Sequence, residues 1–367
     1  MRVVCSFVGG AGHLHPQIPL HRALAAAGHE LALRGRASAT QNAPREIYRT
    51  IAGRPDQRSQ LADEIAPLAP VDIEHELAVI ARHFAGDAAR TSAAAISADL
   101  ASTDLVVCDE VDFGAIGAAQ QAGIPVAVVA VAVSGAIVRP RLLHDALAAL
   151  GHDLGMSGPV RPYGDAFVVP FHPSMREPAH PAPPNALWMR PDSGAAPQPD
   201  GSIVATLGTE FNTESGDLFD RILSALALLD APATLAVGRD LDPSRFGDQP
   251  AHIKIRQYVD LAALVPRASV VLHHGGSGLF LQSVLGGAPQ VVFPMGADQP
   301  FTADRVHDLG LGRVLDPMTA TPDEIARVIS AVRADGKMRS RVLALRSSTL
   351  TLPEPAAVVE HLNRIAR

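Results

Sequence analysis

Twice along this 367-residue chain an apolar, β-branched run ends in a cluster of glycines and passes directly into helix-forming residues. The first instance is Val3 to Phe7, then Gly9-Gly10-Ala11-Gly12, then a helical stretch from Pro16 through Leu24 to Ala27. The second is Val270-Val271-Leu272-His273-His274-Gly275-Gly276-Ser277-Gly278, which opens a helix from Ser277 to Leu285. A strand that enters a glycine turn and then a helix is the start of a βαβ unit, in which crossover helices cover a mostly parallel sheet. The chain is also longer than the roughly 250–300 residues at which one hydrophobic core stops growing, so each instance predicts its own domain. Composition agrees. Hydrophobic residues make up 47% and aromatic ones only 4%, so the interior is built from Ala, Val, Leu and Ile, as parallel strands buried on both faces require.

Between these anchors the same alternation recurs. In the first half it predicts strands at Glu30 to Leu33, Leu105 to Asp109 and Pro125 to Ala130, and a helix over Phe113 to Gln121, with no clear strand from 41 to 104. In the second half it predicts strands at Ser202 to Leu207, Thr234 to Val237, Ile253 to Tyr258 and Gln290 to Pro294, with a helix from Leu218 to Leu229 and further helices near 299–309, 322–334 and 338–347. Prolines at 173, 178, 181, 183, 184, 191, 197 and 199 deny both helix and sheet bonding, so the domain boundary falls among them. The expected division is 1–185, a linker over 186–200, and 201–353.

Several function classes are excluded at this level. A formal net charge of −7, with no Lys/Arg run or interleaved aromatic cluster, leaves no electrostatic footprint for nucleic acid. Cys5 and Cys108 are the only cysteines, without CxxC spacing or a Cys/His cluster, so no disulfide framework or structural zinc is expected and a reducing cytoplasm fits best. They read as buried thiols rather than a redox pair. The apolar N-terminal run is too short for a secretory signal, and the longest apolar stretch, Ile124 to Val138, is broken by Pro125, Ser134 and Gly135, so no transmembrane segment is expected.

The chemistry concentrates at the glycine turns. After His273, backbone N–H groups and a helix N-terminus become available to an anion such as a diphosphate, and the glycines let the chain approach it closely. A tight strand-to-helix connection would look similar, but two preceding histidines and the Ser277 hydroxyl add donors that a plain turn does not need. Asp298-Gln299, taken alone, is a solvated helix start with an acid near the dipole. In the first half, an imidazole at His13 or His15, with an ordinary pKa of about 6.5, can accept a proton from a hydroxyl at neutral pH, and chemistry alone does not separate the two. Such a base needs an orienting carboxylate. Asp109 ends the strand that would lie beside the first one, Asp112 is the alternate, and the plain reading of Asp109 is a cap on the helix that follows. Asp240-Leu241-Asp242 has the spacing of a metal-binding acidic pair but sits in an apparent surface loop before Pro243, so no metal is assigned.

The interval from His273 to Gln299 resembles the nucleotide-sugar signature of the UDP-glucuronosyltransferase-like glycosyltransferases, family 1 of the GT-B fold. Bacterial members write it HHGGxGT, then GxPQ, then a strand and a DQ pair. Leu279 stands where Thr is usual. The resemblance spans nearly the whole chain, most weakly from about 36 to 100, and implies two Rossmann-like doubly wound α/β domains facing each other across a cleft. It implies that His273 and the amides of Gly275, Gly276, Ser277 and Gly278 hold the diphosphate, with His274 sharing the role, and that Asp298 and Gln299 bind sugar hydroxyls. Thr206-Leu207-Gly208-Thr209 resembles the family's LGT turn, with Thr209 as a donor to the diphosphate. Tyr258-Val259-Asp260-Leu261 takes the place of the Trp-Val-Pro-Leu segment that contacts the nucleobase. Gly12-His13-Leu14-His15-Pro16 resembles the GHxxP turn, whose register makes His13 the general base and Asp109 its partner. The final helix, about 354–367, is implied to pack back on the first domain.

The implied activity is inverting, metal-independent transfer of a deoxysugar from dTDP, or of a sugar from UDP, to a hydroxyl of an apolar acceptor. The acceptor class is polyketide-like, as in antibiotic, enediyne and macrolide tailoring, and no cofactor beyond the nucleotide sugar is implied. The alternatives are a nucleotide-sugar epimerase of the same fold, which the GHxxP turn and DQ pair disfavour, and a catalytically silent helper protein, which would have no need of His13 and Asp109. A dinucleotide oxidoreductase lacks its GxGxxG spacing here. Oligomeric state, a homodimer included, is left open.

Overall fold

A computed structural model of the chain describes residues 1–41, 43–54 and 61–366, which form two compact units. The described residues of 1–54, 73–192 and 351–366 make unit 1, and those of 61–72 and 193–350 make unit 2.

Unit 1 is built on a sheet of seven strands, β1 (Arg2–Ser6), β2 (Glu30–Arg36), β3 (Thr50–Arg54), β4 (Leu105–Asp109), β5 (Val126–Val129), β6 (Ala166–Val169) and β7 (Leu187–Trp188). They lie in the order β3-β2-β1-β4-β5-β6-β7, every pair parallel. β4 is buried along all five residues because helices cover both faces of the sheet, which is why Leu105 to Cys108 is apolar without alternation. Val3 pairs with Leu31 on one side and Leu105 on the other, so the carboxyl ends of β1 and β4 finish level. Cys5 pairs with Val107 while Cys108 pairs with Ser6, so the two thiols point to opposite faces of the sheet. Both are free and buried, and burial together with the carboxylates of Asp112 and Asp109 pushes the Cys108 thiol well up.

Three strands of this sheet lie outside those expected from the sequence. β3 lies at the edge and none of its residues is fully buried, so Thr50-Ile51-Ala52-Gly53-Arg54 needs no apolar run. β7 is a two-residue edge strand inside the proline-rich stretch, where an unpaired edge tolerates proline, and unit 1 therefore runs through 186–192. β6, the third, is wholly buried. At the other end of the chain, the Pro355–Ile365 helix belongs to unit 1 and buries Val358, Val359 and Leu362 in the same core as Leu20 and Leu24 of the Ile18–Ala26 helix. Each such side chain contributes roughly 1.5–3 kcal/mol. Arg190 anchors its entry, with the backbone N–H donating to Pro353 O at 2.7 Å and the guanidinium to Glu354 at 2.7 Å.

Unit 2 repeats the design with β8 (Ser202–Thr206), β9 (Ala233–Ala236), β10 (Ile253–Arg256), β11 (Ala268–His273), β12 (Gln290–Val292) and β13 (Gly312–Val314). The order is β10-β9-β8-β11-β12-β13, again all parallel. The short β13, not expected from the sequence, closes one edge. In both sheets the strand order reverses once, between β1 and β4 in unit 1 and between β8 and β11 in unit 2. Loops leaving the carboxyl ends there diverge and open a crevice, the place where such sheets take ligands. Among the described residues no helix is long and apolar enough to cross a membrane.

Candidate active site

In unit 1 the crevice holds His13 and Asp109. The chain leaves β1 through Phe7 and Gly9, and a short helix, Ala11–Leu14, carries His13 back over that turn. A Cβ on Gly9 would lie 2.2 Å from the imidazole, so only glycine lets the ring rest against the backbone here. Buried Gln17 ties the turn from below, donating to His13 O at 2.9 Å and Ser6 O at 3.3 Å. His13 Nδ1 lies 3.4 Å from Asp109 Oδ1, and the imidazole is 24% exposed while the carboxylate is fully buried. That separation is an ion-pair distance, a little beyond the usual range of an N–H···O bond.

Asp109 is held rigidly. Val8 N–H donates to its Oδ2 at 2.8 Å and Val111 N–H to its Oδ1 at 2.9 Å. The two amides fix the orientation of the carboxylate toward the His13 turn. In the tautomer that places its proton on Nδ1, facing Asp109, His13 carries its lone pair on Nε2. Asp112, the alternate partner, is engaged elsewhere: Ser6 Oγ donates to its Oδ2 at 2.6 Å and Ala115 N–H to its Oδ1 at 3.1 Å. The cap on the Phe113–Gln121 helix is thus Asp112 and not Asp109. Burial, with the neighbouring charge of Asp109, pushes the Asp112 carboxyl up, so two nearby acids are set to different tasks by their surroundings. His15 is exposed in the 3-10 turn His15–Gln17 that follows.

Two further groups near this turn escaped the sequence reading. Phe84 stacks on His13 with ring centroids 6.2 Å apart and planes at 29°, and His83 meets Phe84 edge-on at 4.9 Å. Both sit at the kink between the helices Ile73–Arg82 and Ala88–Leu100, where Gly86 leaves helical geometry with φ −102° and ψ −118°. Glycine readily breaks a helix, yet nothing else in His83-Phe84-Ala85-Gly86-Asp87 announces a contact with His13. Beside Asp109, buried Glu110 accepts the N–H groups of Val131 and Ala132 at 2.7 and 2.6 Å and so shapes the loop after β5. Burial raises its carboxyl, and the charge of Arg176 partly offsets this.

In unit 2, β11 ends at His273 and the helix Ser277–Leu285 begins after the glycines. Gly275 has φ 97°, open to glycine alone at low cost, and Gly276 at the N-cap has no side chain to accept from the first-turn amides. The two histidines differ. Gly275 N–H donates to His273 Nδ1 at 3.0 Å, and His273 Nε2 donates to Gln290 Oε1 at 2.8 Å, so both nitrogens of this fully buried ring are engaged inside the fold. Burial lowers its pKa to about 4. His274 is half-buried, its Nδ1 has no hydrogen-bond partner among the described residues, and burial beside His273 holds it neutral, with a pKa lowered to about 3. Its ring lies against two glycines, since a Cβ on Gly208 would come within 2.5 Å of it and one on Gly276 within 2.6 Å. Phe211 stacks on it at 6.1 Å. The β8 loop with exposed Thr209 and the β11 loop with His274 thus meet at the crevice.

Ser277 Oγ donates to Asp298 Oδ2 at 2.6 Å, joining the glycine turn to the DQ pair, and buried Gln299 accepts Met295 N–H on its Oε1 at 2.7 Å. Ala297, just before the pair, has φ 52° and is the only non-glycine residue with positive φ among the described residues. Tyr258 is 58% exposed with the Arg239 guanidinium 4.9 Å over its ring, and Val259 next to it is half-buried. Asp260, which replaces the usual proline, caps the following turn by accepting Ala263 N–H. Asp242 accepts Ser244 N–H at 2.9 Å as a turn cap. Among the described residues no three His, Cys, Asp or Glu side chains gather as a metal site.

Spinosyn rhamnosyltransferase SpnG, solved with thymidine diphosphate, superimposes on 99% of this chain and 100% of its own with a TM-score of 0.80 at 20% identity. The fold is GT-B. Within it, residues 220–365 match the family described as erythromycin biosynthesis protein CIII-like, C-terminal domain. L-demethylnoviosyl transferase of Streptomyces niveus is 27% identical over 386 residues, covering 99% of this chain and 97% of its own. 10-Deoxymethynolide desosaminyltransferase of Streptomyces venezuelae is 30% identical over 187 residues, 50% of this chain and 43% of its own. These relatives of the GT-B chain are thus glycosyltransferases by name.

Proposed function

We propose that this protein transfers a sugar from a nucleoside diphosphate to a hydroxyl of an apolar natural-product acceptor, with inversion at the anomeric carbon. His13 Nε2 takes the proton from the acceptor hydroxyl as its oxygen attacks that carbon, and the bond from the carbon to the diphosphate breaks. Asp109 stabilises the imidazolium that forms, a role worth orders of magnitude in rate for a positioned base. The electron pair leaves on a phosphate oxygen, which the amides of Gly276, Ser277 and Gly278 and the Thr209 hydroxyl stabilise as preorganised donors, whereas the Gly275 N–H is committed to His273 Nδ1 and the Ser277 hydroxyl to Asp298. His274, rather than His273, is the imidazole assigned to the diphosphate, because both nitrogens of His273 are already engaged. Asp298 and Gln299 are assigned to the sugar, and Tyr258 and Val259 to the nucleobase. The relatives' names favour a dTDP-linked deoxysugar, with a UDP-sugar second, and the donor set of unit 2 is sufficient for the leaving charge without a metal.

The observation that carries this reading is the pairing of His13 with Asp109 at 3.4 Å across the reversal of strand order in unit 1. The test is incubation with dTDP-deoxysugars and UDP-sugars against a panel of polyketide aglycones, read by acceptor mass and nucleotide release. His13→Ala should lower turnover by about a thousandfold while keeping thymidine diphosphate affinity within about threefold, within the usual span for loss of a general base. Turnover near that of the unmutated protein would move the base elsewhere.

A further inference from the structure

Residues 61–72 stand in the sequence between β3 and the Ile73–Arg82 helix, both of unit 1, yet they are part of unit 2. The segment reads Leu-Ala-Asp-Glu-Ile-Ala-Pro-Leu-Ala-Pro-Val-Asp, with apolar residues at every third position. Ala62, Ile65, Leu68 and Val71 are half-buried, and the residues between them are exposed. A period of three with Pro67 and Pro70 belongs to an extended, polyproline-like chain, which lacks internal hydrogen bonds and so must find partners elsewhere. Ala62, Ile65 and Leu68 pack against the core of unit 2.

The backbone partners are the informative part. Ala66 N–H donates to Thr213 O at 2.7 Å, and Gly216 N–H donates to Ala66 O at 2.9 Å, so one strap residue clamps the 213–216 turn in the second half of the loop after β8. Ala62 N–H donates to Asp240 O at 2.7 Å in the loop after β9, and Arg245 returns a bond to Ala62 O at 3.4 Å. Gly216 has φ 53°, and a Cβ there would meet Leu68 N at 3.1 Å, so the loop is shaped to receive the strap. The loop it grips carries Thr209 and Phe211, and Phe211 stacks on His274. The β9 loop carries Arg239, whose guanidinium covers Tyr258.

We infer that residues 61–72 form a strap that positions the β8 and β9 loops of the nucleotide site, with Ala66 as its central positioning residue. Nucleotide affinity in unit 2 then depends on a segment supplied from within the sequence of the other unit. The inference rests on the reading of unit 2 as a nucleotide-sugar site, and the experiment separates the two. Ala66→Pro removes the N–H that reaches Thr213, whereas Ala66→Ser keeps it. In the full chain, Ala66→Pro should weaken thymidine diphosphate binding by calorimetry about fivefold or more and raise the donor KM to match, with kcat at saturating donor within threefold. Amide exchange across 207–217 should quicken in parallel, and Ala66→Ser should restore both affinity and protection.

A folded Ala66→Pro variant that binds within twofold of the unmutated protein, with unchanged exchange in that loop, overturns the strap. Should Ala66→Pro not fold, the pair Ile65→Ser and Leu68→Ser takes the same measurements and the same criteria. His274→Ala is the control: if it binds thymidine diphosphate normally, the nucleotide-site reading itself fails. If it binds weakly while the strap variants bind normally, only the strap inference fails.

Discussion

Replacing Asp109 by Asn isolates the pairing on which the proposed chemistry depends. The side chain keeps its shape, but one of the two carboxylate oxygens becomes an NH2 that faces either the Val8 N–H or the Val111 N–H. A buried donor set against a donor costs about 1–3 kcal/mol, so the variant should fold with a melting temperature lowered by several degrees. The larger effect is on the imidazolium. A unit charge pair at the observed 3.4 Å is worth about 5 kcal/mol at an effective dielectric of 20, a ceiling of between three and four decades in rate. His13 is a quarter exposed, and water there screens part of this, so a fall in kcat of roughly a hundredfold to a thousandfold is expected. Steady-state nucleotide release at saturating donor and acceptor measures it, with calorimetry confirming thymidine diphosphate affinity within twofold. If kcat stays within tenfold of the unmutated protein while the variant is folded, Asp109 does not support the base and the reasoning is refuted.

Other outcomes follow from the same contacts. Gly9→Ala places a Cβ 2.2 Å from the His13 ring, so kcat should drop at least about a hundredfold with nucleotide affinity retained, since a small misplacement of a base is that costly; undiminished kcat would show that the ring does not need the bare backbone. Leu362→Ala opens a cavity where the C-terminal helix meets the unit 1 core and should destabilise by about 2–5 kcal/mol in denaturant titration, with a change under 1 kcal/mol refuting that docking. Acid stability should be governed by buried neutral imidazoles. His21, His273 and His274 have pKa values lowered to about 3, 4 and 3, so between those values and about 6.5 the unfolded chain binds protons that the fold does not. Their contribution is complete above that upper limit and is lost as pH falls, at up to about 1.4 kcal/mol per pH unit for each ring. Melting temperature should therefore hold near pH 7.5 and decline from about pH 6.5 to 5; a flat or rising profile over that lower range would contradict it.

The places where sequence reasoning stopped share a cause. β3 and β7 are edge strands whose residues are only partly covered, so they lack the apolar run by which a central strand such as β4 announces itself. The kink that brings Phe84 to His13 leaves little trace, because a single non-helical residue, Gly86, redirects a helix without changing its composition. The strap at 61–72 reads in the sequence as part of the first half, since the pairing that assigns it to unit 2 is made by backbone groups that every residue owns.

By itself the sequence determined the architecture: two α/β units, the glycine turns that open them, and the residue types able to bind a diphosphate or accept a proton. Those features are local, written in hydrophobic period and in where glycine must stand. Only the tertiary structure decided between candidates of the same chemistry. Asp109, not Asp112, reaches His13 because β1 and β4 end level at the crevice and Asp112 turns back to cap a helix. His274, not His273, keeps a nitrogen unengaged because Gln290 on the neighbouring strand β12 claims the other ring. Hydrogen-bond partners are assigned by strand register, and register is a property of the assembled sheet.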